Sequence, residues 1–318
     1  MRLVFMGTGE IALPSLRWLI DTREAFGHEI IGVYTQPDKP VGRKQVLTPP
    51  KVKVLAEASG IPVFQPETLR KNEEAFAEFA ALDPDLAIVM AYGQILPRSI
   101  IEASRIACVN LHASLLPKHR GASPIQAAIR DGDGETGITL MHVVPKLDAG
   151  DMILKEFIPI ESTDTGGILH DKLANLGPAL LERGLPLLRS GTFTSDPQDE
   201  EAVTYSGKLE RNDGHLNWND DAAALELLIR AYDPWPGTYA MLTVGEGPKK
   251  LKIFPQTTLS ESSDAPPGTI VSTSRGLQVS CGSGSLVLNG DVQVEGKKRL
   301  SVHEWLRGAQ IPVGTILQ

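Results

Sequence analysis

The stretch Asn110-Leu111-His112-Ala113-Ser114-Leu115-Leu116-Pro117-Lys118-His119-Arg120-Gly121 concentrates the side chains best suited to chemistry. It follows an apolar run, Ala107-Cys108-Val109, and so begins where a buried strand should end. Asn110 and His112 alternate along that strand and project to the same side. Farther on, Leu147-Asp148-Ala149-Gly150-Asp151 forms a second polar turn, and a chain return across the sheet would set Asp148 beside His112. A carboxamide, an imidazole and a carboxylate are the minimal set for acyl or one-carbon transfer to an amine. The amide stabilises a developing oxyanion, the imidazole moves protons, and the carboxylate orients or charges it. The residue types alone leave a second reading open, because Asn and His at a strand end also serve as turn and capping residues.

The elements that must position these groups alternate. Leu3-Val4-Phe5-Met6 reads as a buried strand, followed by Gly7-Thr8-Gly9 and a helical pattern in Ile11, Leu13, Leu16, Leu19 and Ile20. Strands follow at Ile30 to Thr35, Val63-Phe64, Leu86 to Ala91, Ala107 to Asn110, Thr136 to His142 and Met152 to Pro159. Helical segments are expected at Val52 to Ser59, Glu67 to Ala81, Pro124 to Arg130 and, unbroken, Thr165 to Arg189. This is the pattern of an α/β fold with a doubly wound, mostly parallel Rossmann-like sheet, which binds ligands at the carboxyl ends of its strands. Gly7-Thr8-Gly9-Glu10-Ile11-Ala12 resembles a dinucleotide fingerprint, but Tyr34-Thr35-Gln36 offers no acidic residue to hold a ribose. A nicotinamide dehydrogenase is therefore a distant reading, and a tight packing turn stands beside it.

At 318 residues the chain suits two domains. Ser190 to Ser206 lacks periodicity and reads as a linker, giving a catalytic domain over 1–189, a linker over 190–207 and a C-terminal domain over 208–318. That last region has a helix near Ala222 to Tyr232 and short β-rich runs with turns at close spacing, which predicts a small OB-like β-barrel of five strands. Trp235, between Pro234 and Pro236, reads as a packing anchor. Cys108 and Cys281 are far apart and outside any zinc spacing, so neither a disulfide framework nor a metal is expected. The N-terminus lacks a signal-peptide pattern and no run approaches the ~20 apolar residues of a membrane span. The expectation is a cytoplasmic protein, off the membrane and monomeric. A net charge of -8 argues against a polycation, although a local basic surface can hide in that average.

Taken in order, Phe5-Met6-Gly7-Thr8-Gly9, Gln36-Pro37-Asp38-Lys39-Pro40-Val41-Gly42-Arg43, Ala91-Tyr92-Gly93-Gln94-Ile95-Leu96-Pro97, the Asn110 to Pro117 run with Arg120-Gly121 and Pro124-Ile125-Gln126, Leu147 to Asp151, and Trp235-Pro236-Gly237 resemble the folate-dependent formyltransferases over most of the chain. The basic loop, Pro124-Ile125-Gln126 and the lack of an appended dehydrogenase domain favour the branch that acts on a charged tRNA. A formyltransferase for an amino-sugar nucleotide is the alternative, and a folate-binding module without turnover is a rival from another class. The resemblance implies catalytic roles for Asn110, His112 and Asp148, with 10-formyltetrahydrofolate as cosubstrate and initiator methionyl-tRNA as acceptor. It places folate against Ser114, Leu115, Leu116 and Pro117 and against Tyr92, Gly93, Gln94 and Ile95, where core packing is the competing role for Leu115, Leu116 and Ile95.

Between Gln36 and Lys53 the chain carries Lys39, Arg43, Lys44, Lys51 and Lys53 against Asp38 alone. An exposed loop of this kind is either a solvated segment or a grip for phosphates. The family resemblance implies tRNA contact here, by Arg43 foremost with Lys39 and Lys44. In the C-terminal region, Lys249-Lys250 with Lys252 and Lys297-Lys298-Arg299 are further candidates for phosphate contact.

Overall fold

The computed structural model describes residues 1–42, 44–243 and 247–318. The chain forms two compact units, and it does not divide at a single point. The first comprises Met1–Pro124, Glu135–Pro159 and His170–Ser206, and the second Ile125–Gly134, Ile160–Leu169 and Gly207–Gln318.

The first unit carries β1 (Arg2–Gly7), β2 (Glu29–Tyr34), β3 (Lys39–Val41), β4 (Val46–Thr48), β5 (Val63–Phe64), β6 (Leu86–Met90), β7 (Ala107–His112), β8 (Arg120–Gly121), β9 (Glu135–His142), β10 (Met152–Pro159) and β11 (Tyr205–Ser206). Its main sheet runs β10-β9-β7-β6-β1-β2-β5. The five strands from β7 to β5 are mutually parallel, whereas β9 is antiparallel to both β7 and β10. The β6 run Leu-Ala-Ile-Val-Met is buried throughout because helices cover both faces. Ala87 and Val89 join Phe79 of helix Glu73–Ala81 in one core cluster. Met90, on the opposite face, meets Ser15 of helix Leu13–Asp21, which packs on helix Leu176–Ser190. Order reverses between β1 and β6, which opens the ligand crevice of a doubly wound sheet beside their carboxyl ends.

Three expected elements differ. The helix expected from Glu67 begins at Glu73, where the Asn72 side chain caps it by accepting from Ala75 N. The helix drawn unbroken from Thr165 to Arg189 is two, Gly166–Ala174 and Leu176–Ser190. Pro178 has no N–H for the Ala174 carbonyl, and the Asn175 carboxamide adds a second donor to the Asp171 carbonyl, which already accepts from Asn175 N. The loop from Gln36 to Pro50 contains a hairpin, with Lys39 opposite Thr48 and Val41 opposite Val46.

The second unit contains β12 (Thr238–Thr243), β13 (Pro248–Ile253), β14 (Thr257–Ser260), β15 (Ile270–Ser272), β16 (Leu277–Ser280), β17 (Ser285–Leu288), β18 (Asp291–Val294) and β19 (Leu300–Ser301). They form two antiparallel sheets, β12-β13-β18-β19 and β14-β17-β16-β15. The eight segments reduce to the five expected strands plus a short edge, because β13 with β14 and β17 with β18 are two long strands that bend at one level. There Gln256, at φ +82°, accepts through its carbonyl from the N–H groups of Asn289 and Gly290. The C-terminal tail closes the gap between the outer strands: Ile270 N donates to Thr315 O and Leu317 N to Gly268 O, while Gln318 N donates to Met241 O, each at 2.8 Å. Leu225 and Ile229 of helix Ala222–Ala231 and Trp305 of helix Val302–Gly308 complete its core. Among the described residues, no helix is long and apolar enough to cross a membrane.

Candidate active site

Asn110 and His112 occupy the last turn of pleat on β7, opposite Met141 and Thr139 of β9. His112 is buried, and its Nε2 lies 3.0 Å from the His119 carbonyl. A carbonyl only accepts, so Nε2 carries the proton in the neutral ring and Nδ1 presents a lone pair. Nδ1 faces Asp148 Oδ2 at 3.7 Å, beyond hydrogen-bond length but close enough to stabilise positive charge arriving on the ring. The Asn110 carboxamide is half-buried and makes no hydrogen bond with another described residue. The structure thus brings together the three side chains singled out from the sequence.

Asp148 reaches this place from a turn in the left-handed region, φ +47°, and its Oδ2 accepts from Gly121 N at 2.8 Å. Gly121 has φ +122°, and a Cβ there would sit 2.2 Å from the Ser206 carbonyl, so only glycine brings this N–H to the carboxylate. The contact at Ser206 arises because β11 pairs in parallel with β8. Residues 190–207, read as a linker, are therefore hydrogen-bonded to the first unit as far as Ser206.

Two loops frame the triad at the carboxyl ends of the neighbouring strands β6 and β7. In the second, Ser114 Oγ donates to Lys118 O (2.6 Å), Thr139 Oγ1 donates to Ser114 O (2.7 Å), and Lys155 Nζ donates to Leu116 O (2.5 Å). Ser114 and Leu116 point inward and are fully buried, leaving Leu115 and Pro117 half-buried. Burial lowers the Lys155 pKa against the opposing field of Asp196. Thr139 and Lys155 carried no sequence signal beyond lying on β9 and β10.

In the first loop the Ala91 carbonyl accepts from both Thr8 N and Gly9 N (3.2 Å each), and Thr8 Oγ1 donates to Tyr92 O (2.9 Å). The amides that would cradle a pyrophosphate thus brace the Ala91 loop, which accounts for the glycine turn without a dinucleotide. Tyr92 is 2% exposed, its hydroxyl pKa raised by burial, and Gln94 turns back to accept from Leu69 N (2.9 Å) and donate to Pro66 O (2.9 Å). Gly93 and the side chain of Ile95, 73% exposed, remain open to a ligand.

Lys39 and Lys44 are exposed on the hairpin, while Arg43 lies outside the described residues. Lys51 pairs with Glu10 at 2.8 Å and Lys53 with Asp38 at 3.0 Å, so neither is a free cation. In the second unit Lys250 Nζ stands 3.6 Å over the Tyr239 ring, which stacks on His215, and Arg299 covers Phe254 and pairs with Asp291. Lys249, Lys297 and Lys298 rim a groove of about 440 Å³ floored by Leu242, Val294 and Trp305. Among the described residues no three His, Cys, Asp or Glu side chains converge as a metal site.

Residues 1–185 match the family described as formyl transferase, and residues 208–310 match the formyl transferase C-terminal domain. The chain is 46% identical over 310 residues to the methionyl-tRNA formyltransferase of Akkermansia muciniphila, covering 97% of this chain and 96% of that one. It is 43% identical over 317 residues to the methionyl-tRNA formyltransferase of Bacillus subtilis, covering 99% and 97%. Among solved structures, the N-formyltransferase of Helicobacter canadensis in complex with folinic acid and dTDP-3-aminofucose shares the fold, with TM-score 0.64 and 18% identity over 90% of this chain and 98% of that one. HypX from Aquifex aeolicus in complex with tetrahydrofolic acid aligns at TM-score 0.61 and 17% identity, over 96% of this chain and 47% of that one.

Proposed function

The chain belongs to the formyl transferase family, and from that premise we propose that it transfers the formyl group of 10-formyltetrahydrofolate to the α-amino group of initiator methionyl-tRNA, in the cytoplasm. The observation that carries this reading is the uncommitted Asn110 carboxamide beside the His112–Asp148 pair, in a chain nearly half identical to methionyl-tRNA formyltransferases.

In this mechanism Asn110 Nδ2 donates to the formyl oxygen as the amine attacks and charge collects there. The new bond joins the amine nitrogen to the formyl carbon. His112 Nδ1 takes the amine proton, with Nε2 held by the His119 carbonyl and the Asp148 carboxylate balancing the imidazolium. As the bond from the formyl carbon to N10 of the folate breaks, the proton passes from His112 to N10. The loop from Ala91 to Leu96 and Ser114 to Pro117 would hold the folate, through the main chain of Tyr92, Gly93 and Gln94 and the side chains of Ile95, Leu115 and Pro117. The hairpin would reach the tRNA acceptor end with Lys39, Arg43 and Lys44, and residues 208–318 would contact its backbone through Lys249, Lys252, Lys297 and Lys298. Catalysis falls to residues 1–189, joined through 190–207.

The test is a choice of acceptor. Supplied with 10-formyltetrahydrofolate and either charged initiator tRNA or a dTDP-linked amino sugar, the protein should formylate the tRNA. Formylation of the sugar nucleotide alone would overturn the reading in favour of the chemistry named for the Helicobacter canadensis structure.

A further inference from the structure

The segment leading out of the first unit is tethered at two places, where Asp196 bridges Met152 and where β11 pairs with β8. Between the tethers lies Gln198, 8% exposed. Its Nε2 donates to the main-chain carbonyls of Asp148 (2.8 Å) and Gly150 (2.7 Å), and its Oε1 accepts from Arg120 Nε (2.9 Å). Both amide protons and the carbonyl are engaged, so the carboxamide has one orientation. The Arg120 side chain is fully buried. Its Nη2 donates to Glu200 Oε1 (2.9 Å), while the other Glu200 oxygen takes Lys146 Nζ (2.7 Å), two residues before Asp148. Gly121, next in the chain after Arg120, donates to the Asp148 carboxylate. Asp148 is therefore held at its carbonyl by Gln198 and at its carboxylate by Gly121, and the two holders are joined through Arg120. A non-glycine residue keeps a left-handed backbone only where its surroundings impose it, and here they do so at a reacting carboxylate.

We propose that Gln198 is a positioning residue for formyl transfer: through the chain Arg120–Gln198–Asp148 it sets the distance of the Asp148 carboxylate from His112. The proposal rests on the catalytic reading of Asp148. It is tested with Gln198→Met, Asp148→Asn and the double variant, with rates referred to the concentration of folate-binding sites so that unfolded protein does not count as slow enzyme. Gln198→Met should lower kcat on the order of 100-fold, as a displaced catalytic group does, and leave KM for tRNA and folate within about twofold. In the Asp148→Asn background it should change kcat less than about twofold, because the group it positions is already gone. Gln198→Glu keeps an acceptor for Arg120 and loses both donors, and it takes the place of Gln198→Met in the cycle if the latter does not fold. A parent-like kcat in the Gln198 variant beside an inactive Asp148→Asn removes the proposal alone, as do losses that multiply in the double variant. A parent-like Asp148→Asn removes the catalytic reading and the proposal with it.

Discussion

Because the Asn110 carboxamide bonds to no other described residue, Asn110→Ala leaves the internal hydrogen bonds of the first unit intact and removes only the donor proposed for the formyl oxygen. Its expected effect is a loss in kcat of about 100- to 1000-fold at an unchanged melting temperature, measured by single-turnover formylation. His112→Ala and Asp148→Ala should likewise cost orders of magnitude in the transfer step, and near-parent turnover in any of the three contradicts the assignment. Gly121→Ala separates a main-chain role from these. With φ +122° and the Ser206 carbonyl 2.2 Å from the new Cβ, the β8–β11 pairing must open, at a cost of about 1–3 kcal/mol for the backbone alone. Thermal melts should fall and kcat should drop with them, since the Gly121 N–H leaves Asp148. The alternation of Asn110 and His112 made these two readable as partners from the sequence, and Asp148 was reachable from its polar turn and the return of the chain across the sheet, whereas their catalytic roles needed the family pattern. Tyr92 and Gln94 were not readable in the same way. The Tyr92 side chain is buried in the core and Gln94 bonds back to the main chain of Pro66 and Leu69, long-range contacts that no local pattern announces.

At the scale of elements, the hairpin Lys39 to Thr48 depends on the network at its base. Asp38 accepts from Lys53 Nζ and from Gln65 Nε2 (2.8 Å), and Gln65 also donates to the Gln36 carbonyl (2.8 Å). Asp38→Ala should loosen the hairpin and raise KM for tRNA about tenfold while folate affinity stays fixed, an effect of about 1.4 kcal/mol. The Gln65 and Lys53 hydrogen bonds hold the Asp38 carboxyl below the usual carboxylate range. A lowered folded pKa means that this stabilisation is fully present above the ordinary value of about 3.9 and is lost as pH falls through the folded value. Amide hydrogen exchange across residues 39–48 should therefore stay protected at pH 5 relative to Asp38→Ala, and the difference should vanish as the acid limit is approached. None of this is written in the hairpin's own pattern. Val41, Val46 and Leu47 are all exposed, so no buried face imposes the alternation by which strands are usually recognised. The helix Val302–Gly308, by contrast, is announced by its start, for Ser301 and Glu304 form a capping box spelled out in the sequence.

For the molecule as a whole, a net charge of -8 is compatible with an RNA substrate because an average over the chain does not describe its local basic clusters. Lys51 and Lys53 are paired with Glu10 and Asp38, so of the clustered lysines Lys39 and Lys44 are exposed on the hairpin and Lys249, Lys252, Lys297 and Lys298 are exposed in the second unit. The sequence showed the clusters but not which cations were already paired, since Glu10 is 41 residues from Lys51. The doubly wound sheet was legible from strand and helix alternation. The barrel was legible as five strands, while its closure by Thr315 to Gln318 was not, because a short tail with two bridges has no period of its own. If about six phosphates are engaged by these lysines, counterion release gives log KM for tRNA a slope of roughly 4 to 5 against log salt concentration. KM for folate, whose proposed site is built of main chain and apolar side chains, should change little over the same range. Charge-removing substitutions of Lys249 with Lys298 should lower the slope by roughly 1 to 2 and weaken all charged initiator tRNA alike. A slope near zero, or one that survives removal of those lysines unchanged, would place tRNA recognition on other surfaces.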